Sequence, residues 1–290
     1  MKLPIALILG VNALGAAAEP ADTATVDSTK TFIFTDVINI PSTSVKDQNK
    51  SGTCWCFAGT SFYEDEIRKN GGDSLDLSEM FTVRNCYRDK AERFVRMYGQ
   101  TNFAAGGSAL DVPYVWKRYG AVPEEVYSGL QYGEDKHVHG ELDAVLAAYL
   151  KEIVKKPNKK LSKAWMKGIE GILDAYLGPV PETFEYKGKT YTPKTFAESL
   201  PLNPDDYVPL TSFMHHPYYE AFAVEVPDNW LWEKYYNVPL DELKAIVDNS
   251  LAKGHTIVWA ADVSEGGFKW NKGVALMPKG KSESDMDSTE

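Results

Sequence analysis

The stretch Gln48-Asn49-Lys50-Ser51-Gly52-Thr53-Cys54-Trp55 decides how this chain is read. Beyond it, Phe57, Ala58, Phe62 and Ile67 recur at helical spacing and Gly71-Gly72 supply a stop, so a helix is predicted to begin at Cys54. The partial positive charge and free N–H groups of a helix N-terminus favour an anion, which suits a nucleophilic thiolate. Gln48 can place a side-chain amide beside the sulfur, where with the Cys54 N–H it would hold the oxyanion of a tetrahedral intermediate. Gly52 lets the backbone approach closely, and Trp55 can exclude water. Taken singly, a Cys before Trp is more often a packed core thiol than a nucleophile, and Gln48 alone reads as a surface residue.

Outward from this stretch the first half is helical. Ser78 is a plausible cap for a helix running toward Tyr98, with an apolar stripe through Phe81, Tyr87, Ala91, Phe94 and Val95. A short helix follows Asp111, and amphipathic ones are expected over 141–155 and 162–176. The character changes near Phe184, where Lys187-Gly188 separates two short aromatic runs as in a hairpin. Residues 219–226 and 255–263 read as strands, with a helix over 240–253 between them ended by Gly254. Helices first and strands later give an α+β layout.

The 290 residues carry a formal net charge of −10, which argues against unaided binding to nucleic acid or to an anionic membrane. Lys2, the apolar run 3–14 and Ala16-Ala17-Ala18 read as an export signal over 1–18, with a mature chain from Glu19 that is periplasmic or extracellular and not membrane-bound. A small polar lead follows over 19–30, the folded domain spans 31–278, and 279–290 is a polar tail too poor in apolar residues to order alone. Cys54, Cys56 and Cys86 are odd in number and lack zinc or redox spacing, so no disulfide scaffold is expected. Cys56 reads as a small apolar residue facing the core, and Asn49-Lys50-Ser51 formally matches a glycosylation acceptor without an assigned role.

The run from Gln48 to Trp55 meets in full the active-site pattern of the papain superfamily: Gln, three residues, Gly, one residue, Cys, Trp. Val45-Lys46-Asp47-Gln48, Leu77-Ser78-Glu79, Tyr119-Gly120, His215-His216-Pro217-Tyr218-Tyr219 and Val226-Pro227-Asp228-Asn229-Trp230 resemble the bleomycin hydrolase and aminopeptidase C family within it. The resemblance implies a papain-like fold and a thiol-dependent aminopeptidase that takes peptide substrates and no cofactor. Cys54 would be the nucleophile and Gln48 the oxyanion holder. Gly106-Gly107 would be the pair that binds the substrate backbone, with Trp55 beside it. The family assembles as a hexameric cage, which implies a homo-oligomer.

A thiolate of this kind works with a histidine that protonates the leaving amine and an asparagine that orients it. The family's patterns for both come late in the chain, and neither matches here. His137, His139, His215, His216 and His255 all precede the expected place. His255 reads as structural and His215-His216 as a surface or packing turn. His137-Val138-His139 lacks a third ligand, so no metal site is assigned. Two readings stay open: a cysteine aminopeptidase whose histidine and asparagine lie in sequence beyond Glu290, and a catalytically incomplete, peptide-binding relative.

Overall fold

The computed structural model describes residues 35–275 apart from 157, 262 and 264–266. The export signal 1–18, the lead 19–30 and the tail 279–290 lie outside the described residues. Among the described residues seven α-helices and seven short strands follow in the order α1 (Cys54–Lys69), α2 (Glu79–Arg96), α3 (Asp111–Tyr119), α4 (Gly140–Val154), α5 (Trp165–Leu177), β1 (Phe184–Tyr186), β2 (Lys189–Tyr191), α6 (Pro193–Ser199), β3 (Leu210–Thr211), β4 (Ala221–Ala223), β5 (Lys234–Asn237), α7 (Leu240–Ala252), β6 (Phe268–Lys269) and β7 (Val274–Ala275).

Helix α1 begins at Cys54, as its sequence predicts, and closes with Gly71 at φ +86° while Gly72 N–H donates to Ile67 O at 2.9 Å. It is buried on most of its circumference, including the consecutive carboxylates Glu64, Asp65 and Glu66. These carboxylates tie other segments of the chain to the helix. Asp65 accepts from Ser42 Oγ at 2.8 Å and Thr43 N at 3.0 Å. Glu64 accepts from Thr43 Oγ1, Lys46 Nζ and Leu77 N. Glu66 faces His255 Nδ1 at 2.8 Å and accepts from Tyr207 OH at 3.1 Å. The nucleophile helix is thus a post to which the preceding lead, the following loop and the later chain are all fastened.

Ser78 caps α2, its hydroxyl accepting from Phe81 N at 3.0 Å. The hairpin α4–α5 closes over α2 through Leu142, Leu146 and Leu150 on one helix and Ile169, Leu173 and Leu177 on the other, each spaced by four residues and almost fully buried. Each such side chain contributes about 1.5–3 kcal/mol by leaving water. In the hairpin β1–β2 Lys187 and Gly188 both take positive φ, the turn that matches strand twist, and Phe184, Tyr186 and Tyr191 ring Phe196 of α6.

The strands of the second half are short. β5 pairs with β3 in parallel and with β4 antiparallel, and β6 pairs with β7. Of the expected strand over 219–226 only Ala221–Ala223 joins a ladder, because Tyr219 at φ +65° and the following Val226-Pro227 bend the chain away on either side. Among the described residues of 255–263 none belongs to a named strand, and Trp259 forms only an isolated bridge. His255 N–H donates to Ser250 O and its ring pairs with Glu66, which ties the start of this segment to α1. Helix α6 and strand β5 are absent from the sequence-based expectation.

Lys46 Nζ lies 2.5 Å from Glu64, 2.8 Å from Asp76 and 3.6 Å from Glu79. Burial pushes Glu79 up to about 8 and Glu124 up to about 7, against the attraction of Lys46. From the ordinary carboxyl value of 4.5 to about 8 the unfolded chain ionises while folded Glu79 keeps its proton. Stability therefore falls as pH rises through that window, by up to about 1.4 kcal/mol per unit, and levels off above it. Denaturant unfolding at pH 5.5 and 8.5 checks this: Glu79→Gln should lose markedly less stability over the interval than the parent chain, and equal losses would contradict it.

Candidate active site

The loop 48–53 is a tight curl built on positive backbone angles at Asn49 (φ 45°) and Gly52 (φ 69°), with Ser51 N–H donating to Gln48 O at 3.2 Å. A Cβ on Gly52 would sit 2.9 Å from Ala105 Cβ, so glycine is required twice over, for conformation and for space. Residues 137–139 brace the curl from outside. Lys50 N–H donates to His137 O at 2.9 Å, His139 N–H to Lys50 O at 3.2 Å, and Asn49 Nδ2 to His137 O at 3.1 Å. The Asn49 amide is thereby engaged within the fold.

Thr53 occupies the N-cap position without capping. Its hydroxyl shares a hydrogen bond of 2.6 Å with Ser51 Oγ, and both residues are buried. The first N–H groups of α1, that of Cys54 among them, are left without a side-chain acceptor, which keeps the helix end open to an anion. Cys54 is exposed there. Cys56 and Cys86 are buried free thiols, and burial pushes both well above the ordinary thiol value. Gln48 is half-buried, and among the described residues its Oε1 has no hydrogen-bond partner.

The loop 102–108 lies against this helix end. Trp55 Nε1–H donates to Ala105 O at 2.9 Å, and a Cβ on Gly107 would meet the Trp55 ring at 2.8 Å and Asp111 Oδ2 at 2.5 Å. The structure thus brings Gly106 and Gly107 together with Cys54 through Trp55. Lys90, from the middle of α2, reaches up beneath the loop and donates to Ala104 O at 3.2 Å and Gly106 O at 2.5 Å. Its ammonium lies 5.6 Å from the Trp55 ring and 5.8 Å from the Trp230 ring. Trp230 Nε1–H donates to Asp111 Oδ2 at 2.7 Å, and burial pushes the Asp111 carboxyl up to about 6 although Lys90 draws it down. Asp228 closes the other flank, accepting from Asn102 Nδ2 at 3.3 Å, and Tyr235 OH shares a hydrogen bond of 2.7 Å with Ser108 Oγ.

Among the described residues no histidine is hydrogen-bonded to Cys54. His137 and His139 serve the curl through their main chain. Burial lowers both, His139 to about 4, so both rings are neutral near pH 7. Among the described residues no third His, Cys or carboxylate joins them as a ligand set. Asn229 is spent on the backbone of Val224 and Glu233.

The chain belongs to the Peptidase C1-like family, which matches residues 10–278. That match starts inside the stretch read as an export signal. The chain is 24% identical over 265 residues to Aminopeptidase C of Listeria monocytogenes serovar 1/2a, covering 78% of this chain and 60% of that protein. It is 24% identical over 294 residues to Aminopeptidase C of Listeria innocua serovar 6a, covering 88% and 65%. The crystal structure of PepW from Lactobacillus rhamnosis shares the fold at a TM-score of 0.58 and 22% identity, over 76% of this chain and 59% of that one. The chain therefore spans about three-fifths of the length of these relatives.

Sequence reasoning missed Lys90, Ala105 and Asp111 as parts of the site. Lys90 sits beside Ala91 on the buried side of α2, and a lysine interrupting an apolar stripe is the signal that could have found it. Replacing Lys90 by Met would leave the Ala104 and Gly106 carbonyls without their donor and Asp111 without its cation. Lys90→Met should cost about 2–4 kcal/mol in denaturant unfolding. A loss under about 0.5 kcal/mol, the range of ordinary surface changes, would contradict the role of this contact.

Proposed function

We propose that this chain carries the nucleophile-bearing part of a cysteine aminopeptidase acting on peptides. The Cys54 thiolate attacks the carbonyl carbon of the substrate's first peptide bond, forming a C–S bond as the carbonyl oxygen takes up charge. The Cys54 N–H and the Gln48 side-chain amide receive that oxyanion. Gly106 and Gly107 offer main-chain groups to the peptide, and the lack of a Cβ on either lets Asp228, Trp55 and Asp111 pack directly against this backbone. The single observation that carries this reading is the Trp55 indole bonded to Ala105 O, which fixes the helix end bearing Cys54 beside the glycine pair. The names of the relatives support the aminopeptidase class. Export through residues 1–18 belongs to the same proposal and rests on Lys2, the apolar run and the three alanines.

A peptidyl chloromethyl ketone tests the site. Mass spectrometry should find the label on Cys54 with Cys56 and Cys86 spared, excess peptide with a free amino terminus should protect the thiol, and Cys54→Ala should abolish labelling. An inert Cys54, or labelling that peptide does not slow, would overturn the reading.

One observation favours a second reading: among the described residues no histidine is hydrogen-bonded to Cys54. On that reading the 290-residue chain binds peptide but turns it over at least ~10²-fold more slowly than a site with its proton-transfer group. Aminoacyl-amide hydrolysis by the purified chain should then equal that of Cys54→Ala, and robust turnover above that variant would exclude it.

A further inference from the structure

The connection from β3 to β4 carries His215 and His216, and Glu225 lies just beyond β4. In sequence the two histidines read as a surface or packing turn. The fold folds the chain back so that a carboxylate meets them. One ring nitrogen from each histidine and one carboxylate oxygen all lie within 4.8 Å of one another. His216 Nε2 is 3.1 Å from Glu225 Oε1 and His215 Nε2 is 4.0 Å from Glu225 Oε2.

We propose that His215, His216 and Glu225 form a binding site for a divalent transition-metal ion of the zinc class, with water completing its coordination. Two imidazoles and one carboxylate are the donors that zinc prefers, whereas magnesium and calcium take oxygen almost exclusively. Donors bound at about 2.0–2.1 Å in a tetrahedral shell sit roughly 3.3 Å apart. One of the two measured separations is already there and the other is within an ångström of it. Glu225 and His215 are exposed, so their side chains can close the remaining gap with little resistance.

The site is held in shape from behind. The His216 ring stacks on Phe222 with centroids 3.7 Å apart and planes at 17°. Buried Asn237 donates through Nδ2 to Phe213 O at 2.9 Å, His216 O at 3.0 Å and Pro217 O at 3.2 Å, and its Oδ1 accepts from Phe213 N at 2.8 Å. The turn that aims both rings is therefore fixed by a side chain with no solvent exposure. An ion at this site would fasten the turn to residue 225, three positions before Asp228, whose carboxylate lies against Gly106. Its role is to brace that flank of the peptide groove.

The test uses tag-free chain carrying Cys54→Ser, so that the exposed thiol cannot supply a ligand, stripped of metal with a chelator. Calorimetric titration with zinc chloride should give one ion per chain, and cobalt(II) should develop visible ligand-field bands. His216→Ala and Glu225→Gln should each weaken zinc binding at least ~10-fold with unchanged circular dichroism, while His255→Gln should not weaken it. No zinc binding by the parent, or binding that survives both site variants, would overturn the proposal. Glu225→Gln keeps the test valid if His216→Ala disturbs the turn, because Glu225 is exposed and its replacement is nearly isosteric.

Discussion

The ammonium of Lys90 is the contact on which the site's geometry depends. A charge taken from water costs several kcal/mol unless partners replace its hydration. Here the carbonyls of Ala104 and Gly106 and the faces of Trp55 and Trp230 replace it, with the Asp111 carboxylate supplying opposite charge nearby. Each of these partners belongs to a different part of the site. Trp55 follows the nucleophile, the carbonyls belong to the glycine loop, Asp111 starts α3, and Trp230 belongs to the segment flanking the groove. One cation on a rigid helix thus sets the relative position of elements that are far apart in sequence.

A second constraint holds the nucleophile's helix itself. Three successive carboxylates, Glu64 to Glu66, turn α1 from an amphipathic surface helix into a central post fastened on several sides. Burial raises Glu64 although Lys46, Thr43 and Leu77 all donate to it, so desolvation outweighs these bonds. The arrangement costs stability as pH rises. It fixes the end of α1 where Cys54 must stand, because the lead that enters the curl at Gln48 is tied to the same carboxylates.

Local features were legible in the sequence and distant ones were not. The start of α1, the Ser78 cap, the amphipathic helices α4 and α5 and the Lys187-Gly188 turn follow from spacing and turn chemistry within a few residues, and the structure has each of them. Cys54, Gln48, Trp55, Gly106 and Gly107 were singled out by a short pattern and a resemblance. The bond from Trp55 to Ala105 spans fifty residues and leaves no local mark. Residues 255–263 have the composition of a strand, yet His255 at their start pairs with Glu66 on α1, a partner 189 residues away in sequence. Helix α6 escaped notice because its Thr192 capping box lies directly after a strand and covers only seven residues. His215 and His216 looked like a turn because the carboxylate that meets them comes from the far end of the next strand.

On the proposed function, the Cys54 helix end and the glycine loop form one peptide-binding surface. A crystal structure of the chain alkylated at Cys54 by a peptidyl chloromethyl ketone tests this most directly. The inhibitor main chain should be hydrogen-bonded to Gly106 and Gly107, with its carbonyl oxygen turned toward the Gln48 side chain and the Cys54 N–H. A covalently attached peptide directed away from the glycine pair, with Gln48 making no contact, would contradict it.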